Sequence, residues 1–177
     1  TVISVIAGYF YGKFVEQIKE SFEDGKEIDY KQLVKTRYLD WAITTPLMLM
    51  VLVNVIVHHN NQSPKIQIFA LIIILNYIML YSGYKGEMLQ NNTNYWLIGF
   101  AAFFLEFFII YYLYLRPKYN TFNYALFFFF VIVWSMYGVV YKFDIKTRNI
   151  IYNVLDLISK CFVGIGLWVY FTKLFSV

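Results

Sequence analysis

The chain has 177 residues, of which 60% are hydrophobic and 22% aromatic while only 15% are charged. A water-soluble domain of that size has too little interior to hide so much apolar surface, which leaves an integral, multi-pass membrane protein whose solvent is the lipid bilayer. The formal charge of +4 is spread over loops and helix ends with no basic patch, which excludes nucleic acid as a partner.

The single cysteine, Cys161, rules out an internal disulfide, and the only histidines, His58 and His59, are adjacent and offer no metal-ligand spacing, so no metal site is expected. The chain begins at Thr1 with neither a methionine nor a basic leader and reads as a trimmed or partial chain. Hydropathy predicts six spans, near 2–19, 33–57, 66–84, 95–115, 122–142 and 149–173, joined by short polar connections as one transmembrane domain over 1–177. Asn-x-Ser/Thr matches at Asn61 and Asn91 fall in loops and carry little weight. Lysines and arginines do not favour one set of loops, so the positive-inside rule fixes no orientation.

The second span holds the densest chemistry, Arg37-Tyr38-Leu39-Asp40-Trp41-Ala42-Ile43-Thr44-Thr45-Pro46-Leu47. Arg37, Asp40 and Thr44 stand at i, i+3 and i+7, on one helical face. A membrane helix carries such a stripe only where it faces a polar interior. Thr44 is placed to hydrogen-bond the Asp40 carboxylate, and Pro46 to bend the helix. In the fourth span, Glu106 lies between Leu105 and Phe107, far from either end.

The last span carries Asp156 and Lys160 at i and i+4, on one face. At about 34 Å it can cross a hydrocarbon layer of about 30 Å, which puts Lys160 too deep to reach either surface. Such a charge needs a partner or a chemical job. Together, Asp40, Asp156, Arg37 and Lys160 make a four-charge cluster whose signs balance. A buried ion-pair network is one reading. The other is a lysine amine held for condensation with an aldehyde, its cationic product stabilised by the two carboxylates.

Several stretches, in order, resemble the microbial (type I) rhodopsins, with the flavour of proteorhodopsins and of giant-virus rhodopsins. Arg37-Tyr38-x-Asp40-Trp41-x-x-Thr44-Thr45-Pro46-Leu47 is similar to the family's third-helix signature. Leu155-Asp156-x-x-x-Lys160 resembles its retinal-lysine signature. Trp134-Ser135-Met136-Tyr137-Gly138 looks like the sixth-helix retinal segment, and Gly83-Tyr84-x-Gly86-Glu87 like the end of the fourth helix in proteorhodopsins. The resemblance implies an all-α membrane protein, a seven-helix bundle of which this chain supplies six, the second to the seventh. It implies all-trans retinal, joined to Lys160 as a protonated Schiff base.

By the same resemblance, Asp40 is the primary counterion and proton acceptor, with Thr44 one turn on, Asp156 the second counterion, and Arg37 the gate on the release side. Trp41 and Trp134 would sandwich the polyene. Thr45, Met79, Gly83, Trp96, Gly99, Phe103, Tyr137 and Tyr141 would line the pocket, and Met48 would tune its colour towards green. Tyr11 falls where the family often places a tyrosine near the counterions. The departures bear on mechanism. Val51 stands where the family has its proton-donor carboxylate, Lys146 and Arg148 where pumps have an acidic release pair, Gly138 for a proline and Tyr141 for a tryptophan. Glu106, at i+3 from Phe103, is placed to share the pocket-facing side, and two readings of it stay open: a proton relay in place of the missing donor, or a neutral, protonated glutamate at a helix or subunit contact.

These implications favour a light-driven outward proton pump, not an enzyme. A light-gated cation channel and a photosensor with a transducer partner stay open beside it. The resemblance further implies a homo-oligomer, trimer or pentamer.

Overall fold

The computed structural model describes residues 2–23, 25, 27–89 and 92–172, so the sequence match at Asn91 and the predicted end of the last span at residue 173 lie outside the described residues. Six helices follow one another: α1 (Val2–Glu23), α2 (Tyr30–Asn60), α3 (Ile66–Met88), α4 (Thr93–Leu115), α5 (Thr121–Val140) and α6 (Ile145–Thr172). No strand is present among the described residues.

Four of the helix starts have a local chemical cause. Asp29, Asn92, Asn120 and Asp144 precede α2, α4, α5 and α6, and each side-chain oxygen accepts a backbone N–H from the first turn. Asn61 ends α2 in the left-handed region, with φ 55°, where an asparagine is tolerated and its own N–H reaches the last carbonyls. At Asp144 the accepted N–H groups, first that of Thr147, hold the carboxyl below the usual carboxylate range.

Five helices are long and apolar enough to cross a membrane; α1 is not. Its second half carries Lys13, Glu16, Lys19, Glu20 and Glu23, which the predicted first span undercounted. Two of these charges pair along the helix with two others, Lys13 with Glu16 at 2.9 Å and Lys19 with Glu23 at 3.5 Å, on an exposed face.

Burial is inverted relative to a soluble protein. Leu39, Ile43, Phe104, Phe108, Ile132 and Trp168 face outward, as side chains solvated by lipid do. The interior centres on α2, which buries Arg37, Asp40 and Thr44 at one level and Leu49, Leu52, Val53 and Ile56 beyond them. Pro46 interrupts the α2 ladder, because it has no N–H for the carbonyl of Ala42. The hydroxyl of Tyr77 on α3 donates to that carbonyl at 3.1 Å.

Two helices contain a wide, π-helical turn. One closes α4, where the Arg116 N–H reaches the Tyr111 carbonyl at 2.8 Å. The other, Leu157–Phe162, sits in the middle of α6 and contains Lys160. A π turn inserts one residue into the helical count and re-aims the side chains it carries.

Candidate functional site

Lys160 projects from the π turn of α6 into the bundle and is 4% exposed. Its Nζ lies 2.5 Å from Oδ2 of Asp40 on α2 and 3.2 Å from Oδ2 of Asp156 on its own helix. Arg37, one turn before Asp40, has an NH1 3.8 Å from Asp156 Oδ2, and its NH2 donates to Asn153 Oδ1 at 2.8 Å and to Asn149 Oδ1 at 3.1 Å. The Phe14 ring of α1 covers the guanidinium, 4.8 Å from its centroid. The four charges thus meet, two of each sign, in a volume closed to solvent.

The two carboxylates are not equivalent. Asp156 accepts from Tyr137 OH at 2.7 Å, Tyr11 OH at 3.0 Å and Trp41 Nε1 at 3.1 Å, in addition to its cations. Asp40 has the lysine alone, and its Oδ1 has no partner among the described residues. The spacing led one to expect the Thr44 hydroxyl on the Asp40 carboxylate, but it does not bond there. It donates at 2.8 Å to the backbone carbonyl of Asp40. That oxygen lies one turn below, in the position a helical threonine reaches without leaving its rotamer.

A cleft opens from Lys160 between α2, α3, α4 and α5. The structure brings together around it every residue that the sequence placed in the pocket: Trp41, Thr45, Met48, Met79, Gly83, Trp96, Gly99, Phe103, Trp134, Tyr137 and Tyr141. Tyr38, Tyr95, Phe100, Tyr152 and Ser159 line it as well. The Phe100 ring occupies the space where a Cβ on Gly138 would stand, and Trp96 Nε1 donates to the Gly138 carbonyl at 2.8 Å. The absent proline is therefore replaced by an aromatic from the neighbouring helix. Glu106 does not line the cleft. It sits one turn past Phe103, fully buried, with neither oxygen within hydrogen-bond distance of a partner among the described residues.

A second buried ion pair escaped the sequence reading. Arg148 NH2 lies 3.4 Å from Oε2 of Glu87 on α3, and its NH1 donates to the Tyr141 carbonyl at 3.0 Å. Glu87 Oε1 accepts from Tyr38 at 2.9 Å and from Tyr152 at 3.4 Å. Glu87 was visible only as part of a helix-end pattern, and Arg148 only as a departure from an acidic pair. Nothing local in the sequence joins them across 61 positions, from residue 87 to residue 148.

A long, mostly apolar cleft with a buried amine at one end, glycines in its wall and two carboxylates beside the amine fits an extended polyene aldehyde. Lys160 would hold its functional carbon, and the aromatic walls its chain.

Comparisons with known proteins bear on the family and the fold. The sequence profile of the family described as "Bacteriorhodopsin-like protein" matches residues 1–174. The crystal structure of viral rhodopsin OLPVRII is similar, with 38% identity and a TM-score of 0.86 over 98% of this chain and 80% of that one. A blue light-absorbing proteorhodopsin from Med12 shares the fold at 21% identity, with a TM-score of 0.74 over 99% of this chain and 80% of that one. No curated protein matches the chain.

Proposed function

The chain belongs to the bacteriorhodopsin-like family, and from that premise we propose that it is a light-driven outward proton pump in which Asp40 takes the proton held at the Lys160 nitrogen. The six helices are the second to seventh of the family's bundle in an integral, multi-pass membrane protein. Retinal is the family's chromophore. When bound it supplies light absorption and a change of shape next to the lysine nitrogen.

One observation carries the reading: the unequal solvation of the two carboxylates around Lys160. Asp156 has its oxygens filled by hydrogen bonds from Tyr11, Trp41 and Tyr137 and lies beside Arg37, and it serves as the fixed countercharge. Asp40, 2.5 Å from Nζ and otherwise bare, gives up less when it is neutralised. The proton therefore moves from Nζ to Asp40 Oδ2. Arg37 then stands between this pair and the Asn149–Asn153 end of α6, where the proton leaves.

Return of a proton to Nζ from the other end of α2 is slow in this account. Val51 carries no proton, and Leu49, Leu52, Val53, Ile56, Ile72 and Ile110 pack the path with apolar side chains. A positioned acid is worth about 100- to 10,000-fold in rate, and that factor is lost here. The same packing speaks against an open cation pathway. In the bilayer the protein is read as a homo-oligomer, trimer or pentamer, by likeness to its family.

Retinal-loaded protein in planar bilayers tests the reading. A pump gives a steady photocurrent at zero voltage in symmetric solutions, carried by protons, and light acidifies the medium of cells that hold the protein. Asp40→Asn should reduce that current by at least about 100-fold. A current that reverses with the cation gradient would mean a channel, and a photocycle without current a sensor.

A further inference from the structure

On the side of the cleft away from Arg37, three polar side chains meet in otherwise apolar surroundings: Thr45 on α2, Asn76 on α3 and Glu106 on α4. All three are buried, Asn76 and Glu106 completely. The Thr45 hydroxyl lies 2.7 Å from the Trp41 carbonyl and 2.8 Å from Asn76 Oδ1. A hydroxyl has one proton, and two acceptors cannot share it fully. At the same time Asn76 Nδ2 and both Glu106 oxygens have no partner within hydrogen-bond distance among the described residues, although the Glu106 carboxyl faces the Asn76 amide. Three orphans beside one over-subscribed donor indicate a hydrogen-bond order that runs the other way.

Half a turn of the Asn76 amide exchanges its oxygen and nitrogen at almost no steric cost, and the partners decide between the two settings. Nδ2 then donates to Thr45 Oγ1, whose proton goes wholly to the Trp41 carbonyl. Asn76 Oδ1 turns to Glu106. Glu106 can bond it only as a neutral acid. An ionised Glu106 would have one amide donor and no cation, and an uncompensated carboxylate in such surroundings costs several kcal/mol or more. The neutral order gives each of the three side chains a partner.

We propose that Glu106 is a protonated carboxylic acid that donates to Asn76, and that Glu106, Asn76 and Thr45 form one hydrogen-bonded brace from α4 across α3 to the cleft wall on α2. The brace differs from a proton relay. The middle member is an amide, which keeps its hydrogens, so Glu106 has no chain along which to pass a proton to Lys160. Its role is positional: it ties the α2 segment that carries Asp40, Trp41 and Thr45 to the two helices opposite. Glu106 is thus a positioning residue. Its part in the light cycle rests on the retinal reading above, while its protonation and its bond to Asn76 do not.

Infrared spectroscopy of the dark protein separates the two, because it needs no chromophore. The parent should show the C=O stretch of a hydrogen-bonded protonated carboxylic acid, shifted in D2O and missing from Glu106→Gln. Asn76→Leu should move that band to higher frequency by removing the acceptor, and Thr45→Val should move it less, in the same sense. Absence of the band in the folded parent, or a band indifferent to Asn76→Leu, would overturn the brace. With retinal bound, light should displace the band without loss of area, and Glu106→Gln should change the rate of the slowest photocycle step by about five- to tenfold, the worth of one net hydrogen bond. Transient disappearance of the band would mean that Glu106 gives up its proton, which contradicts the brace and favours a relay. A protein that shows the dark band but binds no retinal would refute the proposed function and leave the brace standing.

Discussion

The two sides of the Lys160 cleft handle buried polarity in opposite ways. Towards Arg37, charges are met with countercharges: Lys160 with Asp40 and Asp156, Arg37 with Asp156, Arg148 with Glu87, and tyrosine hydroxyls fill most of the remaining acceptor sites. Towards Val51, Glu106 is a buried acid whose neighbour among the described residues is the Asn76 amide and no charged group. Paired charges make a site where moving one proton rearranges several partners. A lone neutral acid makes a mechanical tie. The difference teaches that burial alone does not mark a proton carrier; the set of partners does.

The sharpest way to break this comparison is to remove one acid from each side. Glu87→Leu takes away a buried countercharge of Arg148, together with the acceptor of the Tyr38 and Tyr152 hydroxyls, and should destabilise the fold by about 3–5 kcal/mol. Glu106→Leu removes a neutral group of similar volume and should cost no more than about 1–2 kcal/mol, one or two hydrogen bonds. Denaturant or thermal unfolding of the two variants in the same detergent checks both. Equal losses would mean that Glu106 is charged or that Glu87 is not.

A smaller effect sits outside the membrane layer, at the cap of α6. The Asp144 carboxyl is held below its usual range by the N–H groups of Thr147 and Lys146. A group lowered in the folded state stabilises it fully above the unfolded value. That contribution is lost as the pH falls through the folded value. Asp144→Asn keeps a capping oxygen and loses the charge. The parent should therefore melt slightly higher than Asp144→Asn at neutral pH, and the gap should close in acid. A gap that persists in acid would mean that the charge is irrelevant to the cap.

Much of the fold and the core of the site were legible because their signals are local. Arg37, Asp40 and Thr44 lie within about two turns of α2, and Asp156 and Lys160 within about one turn of α6, so spacing alone puts each set on one face. The six helices follow from hydropathy, except that α1 carries too many charges for a span. What was not legible depends on three-dimensional partners. The Glu87–Arg148 pair joins α3 to α6, and Tyr38 and Tyr152 become pocket walls only through that pair. Thr44 chose a backbone carbonyl over a carboxylate, a rotamer choice that spacing cannot see. Asn76 is a single polar residue in an apolar run, and its meaning appears only when α2 and α4 supply Thr45 and Glu106.

The most direct test of the account is the visible spectrum of the protein supplied with all-trans retinal, beside Lys160→Ala and Asp40→Asn. The parent should have a visible band and Lys160→Ala none. In Asp40→Asn the band should lie at longer wavelength, because loss of the nearest countercharge lets the positive charge at the lysine nitrogen spread along the chromophore. A folded parent that stays colourless would contradict the assignment of Lys160, and a band unmoved in Asp40→Asn would contradict Asp40 as its counterion.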